Sequence, residues 1–174
     1  MNVCFFCSAM ELEEKYTKPA LHLVEKVAKA GHTIVWGGSK KGLMHQVADT
    51  ARNFGGKLVG ISMERFRDVA YHDADELVIV KSLGERKFML LDRSDAVVVL
   101  VGGIGTLDEA TEVLELRKHG AHSKPIIFLN TDNFYEGLHM QLQRMQNDGF
   151  LPTDFKGLAH FANTPEEAMR HLAS

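Results

Sequence analysis

The chain is poor in the residues that mark several large classes of protein. Of its 174 residues, two are cysteine, one is tryptophan and four are proline. Cys4 and Cys7 make a single C-x-x-C spacing in a strand-like apolar run, with no second pair to complete a metal site or a disulfide framework, so they read as core thiols. Positive charge is not in excess either, since 20 lysines and arginines stand against 23 aspartates and glutamates, a net charge of −3. That balance leaves no basic field to attract nucleic acid, and any anionic ligand must be held by local groups. Long apolar runs are missing: Ala96 to Val101 falls far below the roughly 20 residues of a membrane span. With no basic leader ahead of the first strand, the expectation is a cytoplasmic protein with no membrane and no nucleic acid among its partners. No repeat, low-complexity tract or Pro- or Ser-rich linker interrupts the chain, so residues 1–174 are expected to form one domain.

What is present is an alternation of short apolar runs with stretches of helical period, the pattern of a parallel sheet with crossover helices. Strands are expected at Asn2 to Phe6, His32 to Trp36, Lys57 to Ile61, Leu77 to Val80, Ala96 to Leu100, Pro125 to Leu129 and Ala159 to Phe161. A first helix is expected to start around Pro19, which suits a first helical turn, and to stop at Gly31. Others are expected around Met44 to Ala51, from Gly84 to Arg93, from Thr106 to His119, from Phe134 to Asp148, and after Thr164, where Pro165 and Glu167 complete a capping box. Met63 to Asp75 has no clean period and reads as a loop. The fold class is α/β, a three-layer, doubly wound parallel sheet with helices on both faces.

In such sheets ligands bind beyond the carboxyl ends of the strands. That rule gathers Ser8 after the first strand, Gly37-Gly38 after the second, the Lys81 to Lys87 region after the fourth and Gly102-Gly103-Ile104-Gly105-Thr106 after the fifth. The last of these is a turn of three glycines opening a helix, and main-chain N–H groups there are placed to hold a phosphate. Neither glycine turn keeps the order of a nucleoside triphosphatase loop or the full dinucleotide spacing, which argues against ATP hydrolysis and nicotinamide chemistry. Gly37-Gly38 reads equally as a ligand contact or as a tight strand-to-helix turn. Glu109 follows the phosphate turn, where a carboxylate repels a bound anion; it either serves chemistry or complements the helix dipole. Arg86 and Lys87 lie near a helix start, where cations are unfavourable unless an anion compensates them, and Arg86 reads as a ligand contact or as a surface residue. Glu112 shares a helix face with Glu109, to orient substrate, pair with a cation or face solvent. Ser8 has no partner histidine or aspartate in a motif for nucleophilic hydrolysis.

These residues resemble the Lonely Guy family of cytokinin riboside 5′-monophosphate phosphoribohydrolases, often labelled lysine decarboxylase-like. Gly102 to Glu109 is similar to the family's P-G-G-x-G-T-x-x-E signature, Gly37 to Met44 to its G-G-x-x-G-L-M element, and Glu85-Arg86-Lys87 with Ser94-Asp95-Ala96 to its E-R-K and S-D-A segments. Val101 stands in place of the usual proline, and Leu83-Gly84 where Met-His often precedes E-R-K. The resemblance implies a Rossmann-like fold, usually a homodimer, that cleaves the N-glycosidic bond of AMP or of a cytokinin riboside 5′-monophosphate to free base and ribose 5-phosphate. It implies Arg86 and Glu109 as the catalytic pair. Ser8, Gly38, Lys87, Gly102, Gly103, Gly105, Thr106 and Glu112 would bind the nucleoside 5′-monophosphate, with no cofactor and no metal. No lysine lies in a pyridoxal-phosphate context, so the decarboxylase label finds no support. The alternative is a non-catalytic nucleotide or molybdenum-cofactor carrier on the same fold.

Overall fold

Seven short runs of β-branched and aromatic residues pair into one parallel sheet in the computed structural model, which describes residues 1–151 and 154–172. The strands are β1 (Asn2–Phe6), β2 (Thr33–Trp36), β3 (Leu58–Met63), β4 (Glu76–Val80), β5 (Ala96–Val99), β6 (Ile126–Leu129) and β7 (His160–Ala162). Their spatial order is β4-β3-β2-β1-β5-β6-β7. The chain moves outward from β1 through β2 and β3 to β4, then returns to the other side of β1 and moves outward again. β1 pairs with β2 through Val3 and Ile34 and with β5 through Val3 and Ala96, so the winding reverses between β1 and β5 and the loops leaving those two strands diverge.

Helices α1 (Glu14–Lys29), α2 (Gly42–Asn53) and α6 (Pro165–Leu172) cover one face. Helices α3 (Leu83–Asp92), α4 (Ile104–Lys118) and α5 (Glu136–Asn147) cover the other. Alternate strand residues divide between two cores: Val3 and Phe5 pack with Leu23 and Val47 on the α1/α2 face, while Cys4 and Phe6 pack with Leu90 and Val113 on the α3/α4 face. Both faces are covered, so the strands read as continuous apolar runs and not as alternating ones. Each fully buried Val, Leu or Phe contributes about 1.5–3 kcal/mol. Cys4 and Cys7 are free thiols in these cores.

Several boundaries differ from the sequence expectation, each for a local reason. Pro19 lies inside α1, which begins five residues earlier at Glu14. Proline near a helix start forfeits one hydrogen bond, to the Lys15 carbonyl, and the burial of Thr17, Ala20 and Leu23 on either side of it outweighs that loss. Strand β3 runs two residues past Ile61 because β4 continues the pairing, Ser62 against Ile79 and Met63 against Val80. The segment after it is not irregular throughout but forms a 3-10 turn, Glu64–Val69. At α6 the Glu167 N–H donates to the Thr164 hydroxyl at 3.1 Å, as a capping box requires, while the Glu167 carboxylate accepts from the Asn163 N–H at 2.8 Å, one residue beyond the expected partner. Among the described residues no helix is long and apolar enough to cross a membrane.

Candidate active site

A cleft of about 390 Å³ opens over the carboxyl ends of β5, β1, β2 and β3. One end is built from the start of α4. The first intrahelical bond runs from the Leu107 N–H to the Gly103 carbonyl at 3.0 Å, so the amides of Ile104, Gly105 and Thr106 precede it and have no intrahelical acceptor. Gly103, Gly105 and Thr106 line the cleft, and the positive end of the helix dipole points at the same space. Ser8 closes that end from β1. Its N–H donates to the Val101 carbonyl at 3.3 Å, its carbonyl accepts from the Met44 N–H at 3.1 Å, and its hydroxyl accepts from the Met10 N–H at 3.0 Å. These bonds tie the ends of β1 and β5 to the start of α2.

Deeper in the cleft a guanidinium meets a carboxylate. Nη1 of Arg86 donates to Oε1 of Glu109 at 2.6 Å, and Nε donates to the Ile61 carbonyl at 2.9 Å. Arg86 is 8% exposed and Glu109 6%. Burial pushes the Glu109 carboxyl above its ordinary value, and the Arg86 guanidinium pulls it back part of the way. α4 begins at Ile104, two residues earlier than the glycine pattern suggests, so Glu109 belongs to the second helical turn, and no acidic residue occupies the first. Dipole complementation fades within one turn, so the dipole reading of Glu109 falls away, and so does the surface reading of Arg86. Burial, with the Glu109 carboxylate next in effect, also pushes the nearby Cys7 thiol well above its ordinary value, so Cys7 lines the cleft as a neutral thiol and not as a nucleophile.

A family model described as possible lysine decarboxylase matches residues 44–172. A cytokinin riboside 5′-monophosphate phosphoribohydrolase of Mycobacterium tuberculosis is 36% identical over 175 residues, covering 99% of this chain and 93% of its own. The chain belongs to the Lonely Guy family. A probable cytokinin riboside 5′-monophosphate phosphoribohydrolase of Oryza sativa subsp. japonica is 35% identical over 168 residues, 95% of this chain and 73% of the relative. Among solved structures, the molybdenum cofactor binding protein from Rippkaea orientalis superposes with a TM-score of 0.73 at 21% identity, covering 99% of this chain and 93% of that one. The Moco carrier protein of Chlamydomonas reinhardtii does so with a TM-score of 0.73 at 21% identity over 99% and 94%. Likeness at that identity shows the Rossmann-like fold alone.

In this Lonely Guy chain the residues expected from the sequence do not all converge. Arg86, Glu109, Ser8, Gly103, Gly105 and Thr106 line one cleft. Lys87 and Glu112 are not among its lining residues; the Lys87 ammonium is paired with Glu112, and with Asp108 at 3.0 Å, between α3 and α4. Gly38 is also off the lining. It has φ +64, and a Cβ there would stand 3.3 Å from the Gly60 Cα, so it serves the turn and its packing against β3. Gly102 packs against the Thr106 side chain, where a Cβ would meet the Thr106 hydroxyl oxygen at 2.1 Å. The family's second glycine loop contributes Gly37, Ser39 and Lys41 to the cleft instead, and Met44 at the start of α2 lines it too. Ser62, Phe66 and Val69 complete the far wall. Sequence gave no motif for these three; a β3 drawn two residues longer would have put Ser62 at the ligand edge.

Proposed function

We propose that this chain is a phosphoribohydrolase that cleaves the N-glycosidic bond of a nucleoside 5′-monophosphate, AMP or a cytokinin riboside 5′-monophosphate, to free base and ribose 5-phosphate. The reading is carried by the buried Arg86–Glu109 pair, 2.6 Å apart, beside amides suited to an anion. From Ile104 to Glu109 the helix rises about 7.5 Å at 1.5 Å per residue, so a phosphate held by the first amides of α4 leaves its ribose alongside Glu109. A buried ion pair is a poor source of net stability, and a carboxylate near a phosphate weakens binding, so a site that keeps both is better explained by chemistry than by storage.

In the reaction the bond from C1′ to the base nitrogen breaks with its electron pair going to the base. The oxygen of water bonds to C1′, and the proton that water releases ends on the base nitrogen. Positive charge develops on the ribose as the bond stretches, and the Glu109 carboxylate faces it and accepts the proton of the attacking water. Arg86 fixes the orientation of that carboxylate and offsets part of its burial.

Incubation with AMP followed by chromatography tests the proposal. Adenine and ribose 5-phosphate in equal amounts are expected. Adenosine with inorganic phosphate, or stoichiometric retention of intact nucleotide as a carrier would give, overturns it.

A further inference from the structure

Resting on the nucleotide-cleaving reading above, we infer that Ser62 hydrogen-bonds the polar edge of the leaving base, making the β3 end of the cleft its base-recognition end. The cleft crosses four neighbouring strands in the order β5, β1, β2, β3. Adjacent strands lie about 4.8 Å apart, so β5 to β3 spans about 14 Å, room for phosphate, pentose and base laid end to end. The anion-binding amides stand at the β5 end and the Arg86–Glu109 pair between the ends. A phosphate on α4 therefore directs the base toward β3.

That far wall is mainly apolar, with the exposed Lys41 also among its lining residues. Phe66 and Val69, from the 3-10 turn after β3, and Met44 from α2 give it apolar surface. Ser62 lies among them on β3, 1% exposed, and lines the cleft. A hydroxyl at the cleft wall that both donates and accepts suits a ring nitrogen or an exocyclic amine of a bound base. Its strand neighbour Ile61 gives its carbonyl to Arg86, so one turn of chain positions both the guanidinium and this hydroxyl.

Ser62→Ala separates the two ends of the cleft. It should lower kcat/KM for AMP about three- to tenfold, the worth of one neutral hydrogen bond, while the inhibition constant of ribose 5-phosphate, which has no base, stays unchanged. An unchanged kcat/KM, or equal weakening of ribose 5-phosphate, overturns the inference. If the wild-type protein cleaves no AMP, the parent reading fails by itself. Titration calorimetry of wild type and Ser62→Ala with AMP and with ribose 5-phosphate then still decides, because only a base-end contact weakens AMP alone, and a wild type that binds neither ligand overturns both readings.

Discussion

A Cβ on residue 37 would stand 2.1 Å from Nη2 of Arg86, so the bare backbone of Gly37 forms one wall of the guanidinium's seat. The Ile61 carbonyl and Glu109 form two others, and β2, β3 and α4 together define where Arg86 sits.

Gly37→Ala should therefore act as an Arg86 variant at a distance. The added methyl pushes the guanidinium off Glu109, and kcat should fall at least tenfold while thermal unfolding shows a loss of about 1–3 kcal/mol, the usual effect of overpacking. Gly137→Ala, on α5 with open space around its Cα, is the control: it should leave kcat alone and raise stability by up to about 1 kcal/mol. Equal kcat in the Gly37→Ala and wild-type proteins would show that Arg86 needs no such seat.

Glu109→Gln keeps the shape of the side chain and removes its charge. Base release should fall by about 10²- to 10⁴-fold, with the native circular-dichroism spectrum and AMP binding retained. A variant that still turns over at the wild-type rate would remove Glu109 from the chemistry.

The same variant isolates a pH effect. Because burial holds the Glu109 carboxyl above its ordinary value, the native protein keeps that proton at pH values where the unfolded chain has lost it. Wild-type stability relative to Glu109→Gln should thus be greatest below the ordinary carboxylate range and decline as pH rises through the elevated native value. Turnover moves the other way, since the ionised form acts, so the acid limb of kcat/KM should lie above the usual glutamate range. Urea unfolding at a series of pH values and a pH–rate profile measure the two; a relative stability that climbs with pH would contradict the buried-carboxylate account.

Lys87 and Glu112 are adjacent to the site in sequence and separate from it in space. Their neighbours in the chain are the site, Arg86 one residue away and Glu109 one turn away, and adjacency in sequence offers no means of separating them. Helical geometry does: residues one apart on α3 point about 100° from each other, so Arg86 enters the cleft while Lys87 bridges to α4. Lys87→Met should cost less than about 1 kcal/mol and change kcat/KM far less than Glu109→Gln does.

The strands and the glycine turn were legible because each rests on a strong local signal, continuous apolar runs and three glycines in five residues; Arg86 stood out as a cation at a helix start, and Glu109 was marked chiefly by the family resemblance. Other features depend on long-range contact. Gly37 and Gly38 look alike in the chain, yet one faces Arg86 and the other Gly60, because only the packing of β2 against β3 assigns their directions. Ser62 was hidden because nothing in its neighbourhood marks β4 as the partner that extends β3. Pro19 misled because the burial that stabilises α1 comes from its packing on the sheet, not from its own sequence.

The family resemblance implies a homodimer, and Phe88, 67% exposed on α3, offers apolar surface for one. Sedimentation equilibrium should return twice the 19.4 kDa chain mass. A single-chain mass at micromolar concentration would contradict it.

The most direct measurement is a crystal structure of the Glu109→Gln variant soaked with AMP. The account requires the phosphate against the amides of Gly105 and Thr106, C1′ beside the side chain at position 109, and the base toward β3. A nucleotide bound in the reverse direction, or a side chain at 109 turned away from C1′ in every copy, would contradict it.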